Sequence, residues 1–348
     1  MKNSKLWALI LAIFWIAALA DNLQAATLYR YYTTGQGDGS MAMAVNEHNQ
    51  VVVNFNDRAF LWTLKDGLTD LGHLGGGKSY GYATNNQGQI VGESYINNTT
   101  SHAFLWQNGQ IHDLGALSSG VRNLAISINN LGQVIGASLN SNNSISMFQW
   151  TQGDLQPLDL QGGFARKIID DGRMVGSKNN HAWLWTAPGA GQDLGTLPAP
   201  YNGNAEAYDI NKNGQVVGCA MQLNPPADNA SHALSWTQSG GLQDLGTVGN
   251  IPGISRALAI NNQGYIVGWS DYTTPDGTRT SGCLWTPAGD KFSLDTLVIN
   301  HPGERIGDGI DINDKGIIVG QGNGGGAAYM LVPQMANLSP GVLLLLLQ

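Results

Sequence analysis

Acidic, basic and aromatic side chains suited to holding a ligand are spread singly along this chain, without a catalytic motif around them. Glu93, Arg122, Tyr201, Arg256, Trp269, Asp271 and His301 fall in or beside its most variable stretches. A carboxylate or guanidinium there would fix the polar groups of a partner, and Tyr or Trp would give it a flat apolar face. Glu93, Asp271 and Glu304 raise a second reading, hydrolysis or lysis of an extracellular carbohydrate, because glycoside cleavage uses two carboxyl groups roughly 5–10 Å apart across a pocket. No Gly-x-Ser-x-Gly elbow, phosphate loop or zinc-protease helix is present, so no residue is assigned a catalytic role.

Metal chemistry finds little purchase. His102, His181 and His232 share one repeat position, which distributes them around a ring and favours hydrogen bonding at strand ends over a three-His site. Asp209-Ile210-Asn211-Lys212-Asn213-Gly214 opens like a calcium loop, but Ala220 stands where the closing acid belongs. Neither a metal nor a cofactor is expected. A net charge of −8 argues against nucleic acid, which calls for a basic footprint.

What must position these residues is a repeat. A phrase of Ile-Asn, a short turn with Gly, an apolar pair and Gly recurs seven times. A run like His-Ala-Phe-Leu-Trp and then Asp-Leu-Gly follow it. Taking the residue that ends the first apolar run as a marker gives Asn46, Asn85, Asn129, Asp170, Asn211, Asn261 and Asn313, with steps of 39, 44, 41, 41, 50 and 52. Such periods suit propeller blades, and short Val/Ile/Phe/Trp-rich runs divided by Asn and Gly are strand-and-turn chemistry. The second copy predicts strands over Tyr82 to Asn85, Gln89 to Ser94, His102 to Trp106 and Ile111 to Leu117.

The expected fold is therefore all-β: a seven-bladed β-propeller of four-stranded antiparallel blades. Trp62, Trp106, Trp150, Trp185, Trp236 and Trp285 fill one position in six copies, with Leu331 in the seventh, and are expected at the seams between blades. The seventh copy lacks its last strand, while Thr27 to Gly35 precedes the first copy as a last strand would. The N-terminal segment is thus expected to complete the last blade. The domain runs over 27–333, with a tail at 334–348.

Lys2 and Lys5 precede an apolar stretch from Leu6 to Leu19, and Ala18-Leu19-Ala20 offers a cleavage site. Residues 1–20 read as a secretory signal peptide, with cleavage as late as 25 also compatible. The expected address is secreted, periplasmic or cell-envelope, with no stable membrane span in the mature chain. Charged residues make up only 12%, about half the usual share. Val342 to Leu347 is too short to span a bilayer. An oxidising compartment would permit a bridge between Cys219 and Cys283, whose reach sequence does not decide.

His102-Ala103-Phe104-Leu105-Trp106, Asp70-Leu71-Gly72-His73-Leu74-Gly75-Gly76 and Asn211 to Gly218 resemble the HAF-repeat proteins, a bacterial extracellular family named for its His-Ala-Phe run. The likeness covers nearly the whole mature chain and implies an exported protein, with no catalytic residues to carry over. Ser146 to Trp150 and Ser281 to Trp285 depart from the pattern.

In a four-stranded blade the a–b and c–d turns lie on one face of the disc, and the b–c loops and d–a crossings on the other. The second set is the long and variable one here, including Tyr95 to Ser101, Met221 to Ser231, Tyr272 to Ser281 and Pro198 to Asn204. The expected function is a binding module, a monomer that meets a protein or glycan through that face.

Overall fold

A computed structural model describes residues 27–117, 120–142, 144–223, 230–274, 277–300, 303 and 305–334. The signal-peptide reading, the tail after Gln334, His301 and Glu304 lie outside the described residues, and Gln334, expected as the start of the tail, ends the last strand instead. Four strands per repeat pair antiparallel, so that seven sheets stand around an axis: the chain is a β-propeller. Blades 1 to 6 span 41–70, 79–115, 120–157, 164–195, 205–244 and 255–293, and blade 7 spans 306–334. In blade 2 the strands a to d are Ser79–Thr84, Ile90–Tyr95, Ser101–Gln107 and Gln110–Gly115. Blades 2 and 3 are also joined by one parallel bridge, Ser101 to Arg122.

The fourth strand of blade 7 comes from the other end of the chain. Leu28–Thr33 pairs antiparallel with Ala328–Gln334, from Leu28 opposite Gln334 to Thr33 opposite Tyr329. Tyr29 also reaches the crossing from blade 6 to blade 7, donating to Leu297 O at 2.8 Å and accepting from Ile299 N at 2.9 Å. The closing strand is therefore clamped on both sides.

Packing between blades follows the Trp series. Trp106 lies with Ala44 and Val52 of blade 1, Trp185 with Ile135 and Met147 of blade 3, and Trp285 with Val217 and Ala233 of blade 5. Trp62 meets Val319 and Met330 across the closure, and Leu331 serves the seam with Val267 and Leu284. Each buried indole withdraws about 150–250 Å² from water, about 4–6 kcal/mol of gross stabilisation before entropy is charged.

Strand a carries a bulge at the same place in all seven blades, so that at this place one residue has no partner on strand b; blades 3 and 7 carry a second shift nearer the strand start. The bulge explains the second Gly of the repeat. It drives the Glu206 carbonyl so close to Gly218 that an added Cβ would sit 1.9 Å away. Blade 1 has Val53 at this position and keeps the same register, so there the strand adjusts.

Two readings change. The marker of the fourth repeat is Ile169, one residue before Asp170: Ile169 N donates to Arg173 O as Asn129 N does to Gln133 O. The stretch Tyr272 to Ser281 is not a loose loop, because strands Ile266–Thr274 and Gly277–Trp285 pair out to Thr274 and Gly277.

Candidate functional site

A bulge re-aims the side chain it leaves unpaired. Met43, Tyr82, Ile126, Arg166, Tyr208, Leu258 and Ile310 are the bulged residues, and all seven line a cavity of about 380 Å³ on the axis. The other lining residues are the ends of the a strands and the first residues of the a–b turns, so this cavity lies toward the a–b turn end. That is the end opposite the loop face favoured by sequence.

The charged groups here are committed to the ring. Asp209 accepts from Ile210 N and, in blade 6, from Ile260 N, both at 2.9 Å. Asp311 does the same with Ile312 N and, across the closure, Val45 N. Lys167 lies 3.5 Å from Asp209, whose charge raises the lysine pKa. Burial pushes the Asp311 carboxyl up to about 6; Lys167 opposes the rise and Asp209 adds to it. The calcium-like loop dissolves into the same bonds, since Asn211 Oδ1 accepts from Asn213 N and Gln215 N, both at 3.0 Å. Among the described residues no group of three or more His, Cys, Asp or Glu side chains is placed to hold a metal ion.

A ladder of asparagines encircles the turn end. Asn46 Nδ2 donates to Asn85 O, Asn85 to Asn129 O, and Asn129 to Ile169 O, at 2.9, 3.0 and 3.1 Å. It resumes from Asn211 to Asn261 O, Asn261 to Asn313 O and Asn313 to Asn46 O. Ile169 has no amide to give, so the rung between blades 4 and 5 is missing. Three cationic groups of blade 4 replace it: Arg173 to Lys212 O at 2.8 Å, Arg166 to Glu206 at 2.8 Å, and Lys167 to Asp209.

On the loop face the structure brings Glu93 and Arg122 together as a bidentate pair, at 2.8 and 2.6 Å. Glu93 is 1% exposed and also accepts from Tyr82 and Ser101 hydroxyls. Its charge holds the Arg122 guanidinium protonated, while burial pushes the Tyr82 phenol up. Asp271 is likewise spent, accepting from Ile254 N at 3.0 Å and the Thr280 hydroxyl at 2.6 Å. Glu93 and Asp271 stand in blades 2 and 6, which are not neighbours in the ring.

The remaining residues form an arc over blades 4 to 6. Arg256 stacks on Trp269, 5.5 Å from the ring centre, and donates to the Ser231 hydroxyl of blade 5. Tyr201 stacks on His232 with ring centres 3.8 Å apart. Sequence reasoning missed two further rings: Trp183 under Lys178, and Phe164, which Arg166 reaches from the axial lining, where it also stacks on Tyr208. Of these groups Lys178 and Phe164 line a second cavity of about 250 Å³ between blades 4 and 5, on the loop face.

The shared His position has a clear task. His102, His181 and His232 each hold an Asp of strand d (Asp113, Asp193, Asp244) at 2.8–3.0 Å, and that Asp accepts the N–H of the Gly two residues on. Arg58 and Asp70 do the same in blade 1. Burial works to raise the Asp244 pKa, but bonds from His232 and Gly246 N bring it below the usual value. Cys219 and Cys283 are free and buried in different blades, Cys219 against the Tyr208 hydroxyl at 3.3 Å, so the bridge is not made.

No protein-family model matches the chain, and no curated protein does. Solved structures do. Puromycin hydrolase (an S511A mutant complexed with PGG) is similar at a TM-score of 0.50 and 13% identity over 78% of this chain, which spans about half, 47%, of that protein. A putative TolB from Agrobacterium tumefaciens matches at 0.47 and 8%, covering 63% of this chain and 88% of its own. A gluconolactonase from Xanthomonas campestris matches at 0.45 and 14%, covering 89% and 92%. At these identities the likeness is one of fold. Among the described residues no helix is long and apolar enough to cross a membrane.

Proposed function

We propose that this propeller is an exported binding module of the HAF-repeat kind, acting as a monomer outside the cytoplasm or in the cell envelope. It would meet a protein or glycan partner through its b–c and d–a face. The observation that carries this reading is the arc of aromatic rings on blades 4 to 6, each held by a cationic or imidazole group: Trp183 by Lys178, Phe164 by Arg166, Tyr201 by His232, Trp269 by Arg256. Rings ordered in advance lose little entropy on contact and give a partner flat apolar area with polar edges.

The test is retention of the purified chain on intact cells and on a glycan array, with Tyr201→Ala and Trp269→Ala beside it. Retention that drops about ten-fold in both variants at unchanged Tm supports the face. Retention of neither kind by the parent chain sinks the reading.

A further inference from the structure

The cavity between blades 4 and 5 has a counterpart elsewhere in the ring, and the comparison shows what it lacks. Blades 1 and 4 both join strands b and c by a two-residue turn with positive φ, Asn56-Asp57 and Asn179-Asn180. In each case the second turn residue accepts the N–H of the next blade's strand a: Asp57 O from Ser79 N, Asn180 O from Ala205 N. At the seam of blades 1 and 2 the space above this bond is plugged. Lys78 pairs with Asp57 at 2.8 Å, and the Tyr80 hydroxyl donates to the same carboxylate. Counting back from Asn85 and Asn211, the residues equivalent to Lys78 and Tyr80 are Asn204 and Glu206. Asn180 stands for Asp57. No plug forms, and about 250 Å³ stays open.

We infer that this unplugged seam is a subsite for one ring of a neutral sugar, a proposal that rests on the binding-module reading and names its ligand. Phe164 and Met221 supply the apolar part of the wall, against which the C–H bonds of a sugar ring pack. Asn179, Asn180 and Asn204 supply amides, each of which donates and accepts at once, as vicinal hydroxyls do. The two charges on the wall, Lys178 and Glu206, are opposite in sign. Glu206 accepts from Arg166 through one oxygen, and Lys178 donates to Gln161 at 3.3 Å. A net charge on the ligand therefore gains nothing here, whereas a polyol finds partners for its hydroxyls. The volume is below the roughly 300–1,000 Å³ of sites for drug-sized ligands, which suits a single ring.

The same comparison supplies the variant. N180D/N204K rebuilds the Lys–Asp pair of the blade 1–2 plug in the blade 4–5 seam at two exposed positions. Exposed substitutions of this kind shift stability by about 0.5 kcal/mol or less. The full exported chain and this variant are probed on an array of immobilised neutral oligosaccharides (glucans, mannans, xylans, galactans) with uronic and sulfated glycans alongside, and with intact cells as a second capture. A neutral glycan held by the parent and weakened about ten-fold or more by the plug, with Tm unchanged, is the expected result. Asn204→Ala, which removes an amide without filling space, should weaken the same glycan. Neutral-glycan binding unaltered by either variant overturns the subsite and leaves the binding module standing. Preference for the charged glycans also overturns it. Retention on cells by a protein alone, with an empty array, rejects the sugar while keeping the module; no retention of any kind rejects both.

Discussion

At the scale of single residues, one buried and one half-buried carboxylate behave differently from what exposed loop acids would do. Glu93 has four donors on its two oxygens, so Glu93→Ala strands a guanidinium and two hydroxyls, and Arg122→Ala strands a buried charge. Breaking such a pair costs about 3–5 kcal/mol when fully buried, and about 2–4 here because Arg122 is half exposed. Both variants should lose Tm in thermal melts yet keep ligand retention; lost retention at full stability would return Glu93 to the binding site. Asp311 answers to pH. Its folded pKa, about 6, lies above the ordinary carboxyl value, so the folded state holds a proton that the unfolded chain has already released between about pH 4 and 6. Stability from this group therefore falls as pH rises through that window and is level above it, a change of at most about 3 kcal/mol. Asp308 shifts in the same direction through burial, so the group is isolated by difference. The urea-unfolding free energy of the parent minus that of Asp311→Asn should decline from pH 4 to 6.5. A flat difference would mean that Asp311 is ionised throughout.

At the scale of the element, the a–b turn and its ladder decide how well each blade holds its neighbour. Asn85 makes four hydrogen bonds from a buried side chain: to Asn129 O and Gln89 Oε1, and from Gln87 N and Gln89 N. Its replacement by Ala leaves buried groups without partners, at about 2–4 kcal/mol. Ile169, at the same position in blade 4, makes no rung, and Ile169→Ala loses packing against the blade 4–5 core alone, about 1–2 kcal/mol for a partly buried side chain. Thermal melts of the pair should rank Asn85→Ala as the more damaging. The reverse order would make the ladder ornamental. Sequence showed the turns, the seam tryptophans and the missing strand, because those positions keep one chemistry from copy to copy. It also held a signal for the His–Asp clasp: His102, His181 and His232 are each followed by an acid 11 or 12 residues on. The axial lining was not legible. A bulge is a property of pairing, and Met43, Tyr82, Ile126, Arg166 and Leu258 share no chemistry that would mark them. Nor was the Glu93–Arg122 contact, which joins different blades across 29 residues.

At the scale of the whole molecule, one strand decides whether seven sheets make a ring. Leu28–Thr33 covers the edge of Ala328–Gln334, buries Tyr29 to 3% exposure, and holds the crossing from blade 6 through Leu297, Ile299 and Asn300. Its ladder bonds, at about 1 kcal/mol each net, together with the tyrosine's burial, amount to more than about 5 kcal/mol. That is comparable to the total stability of most domains. Removing residues 27–35 from the mature chain should therefore not trim one blade but open the wheel. The apolar edge of blade 7 would be left as a template for association. The truncated chain is expected to aggregate or melt without cooperativity, and a synthetic peptide of residues 27–35 should restore a cooperative melt in proportion to its concentration. Tyr29→Ala, which keeps the backbone ladder, should cost about 3–5 kcal/mol and leave the ring closed. If the truncated chain instead melted as sharply and as high as the parent, seam packing alone would be holding the ring. The N-terminal strand would then be an accessory rather than the clasp that keeps the blade 4–6 arc in register.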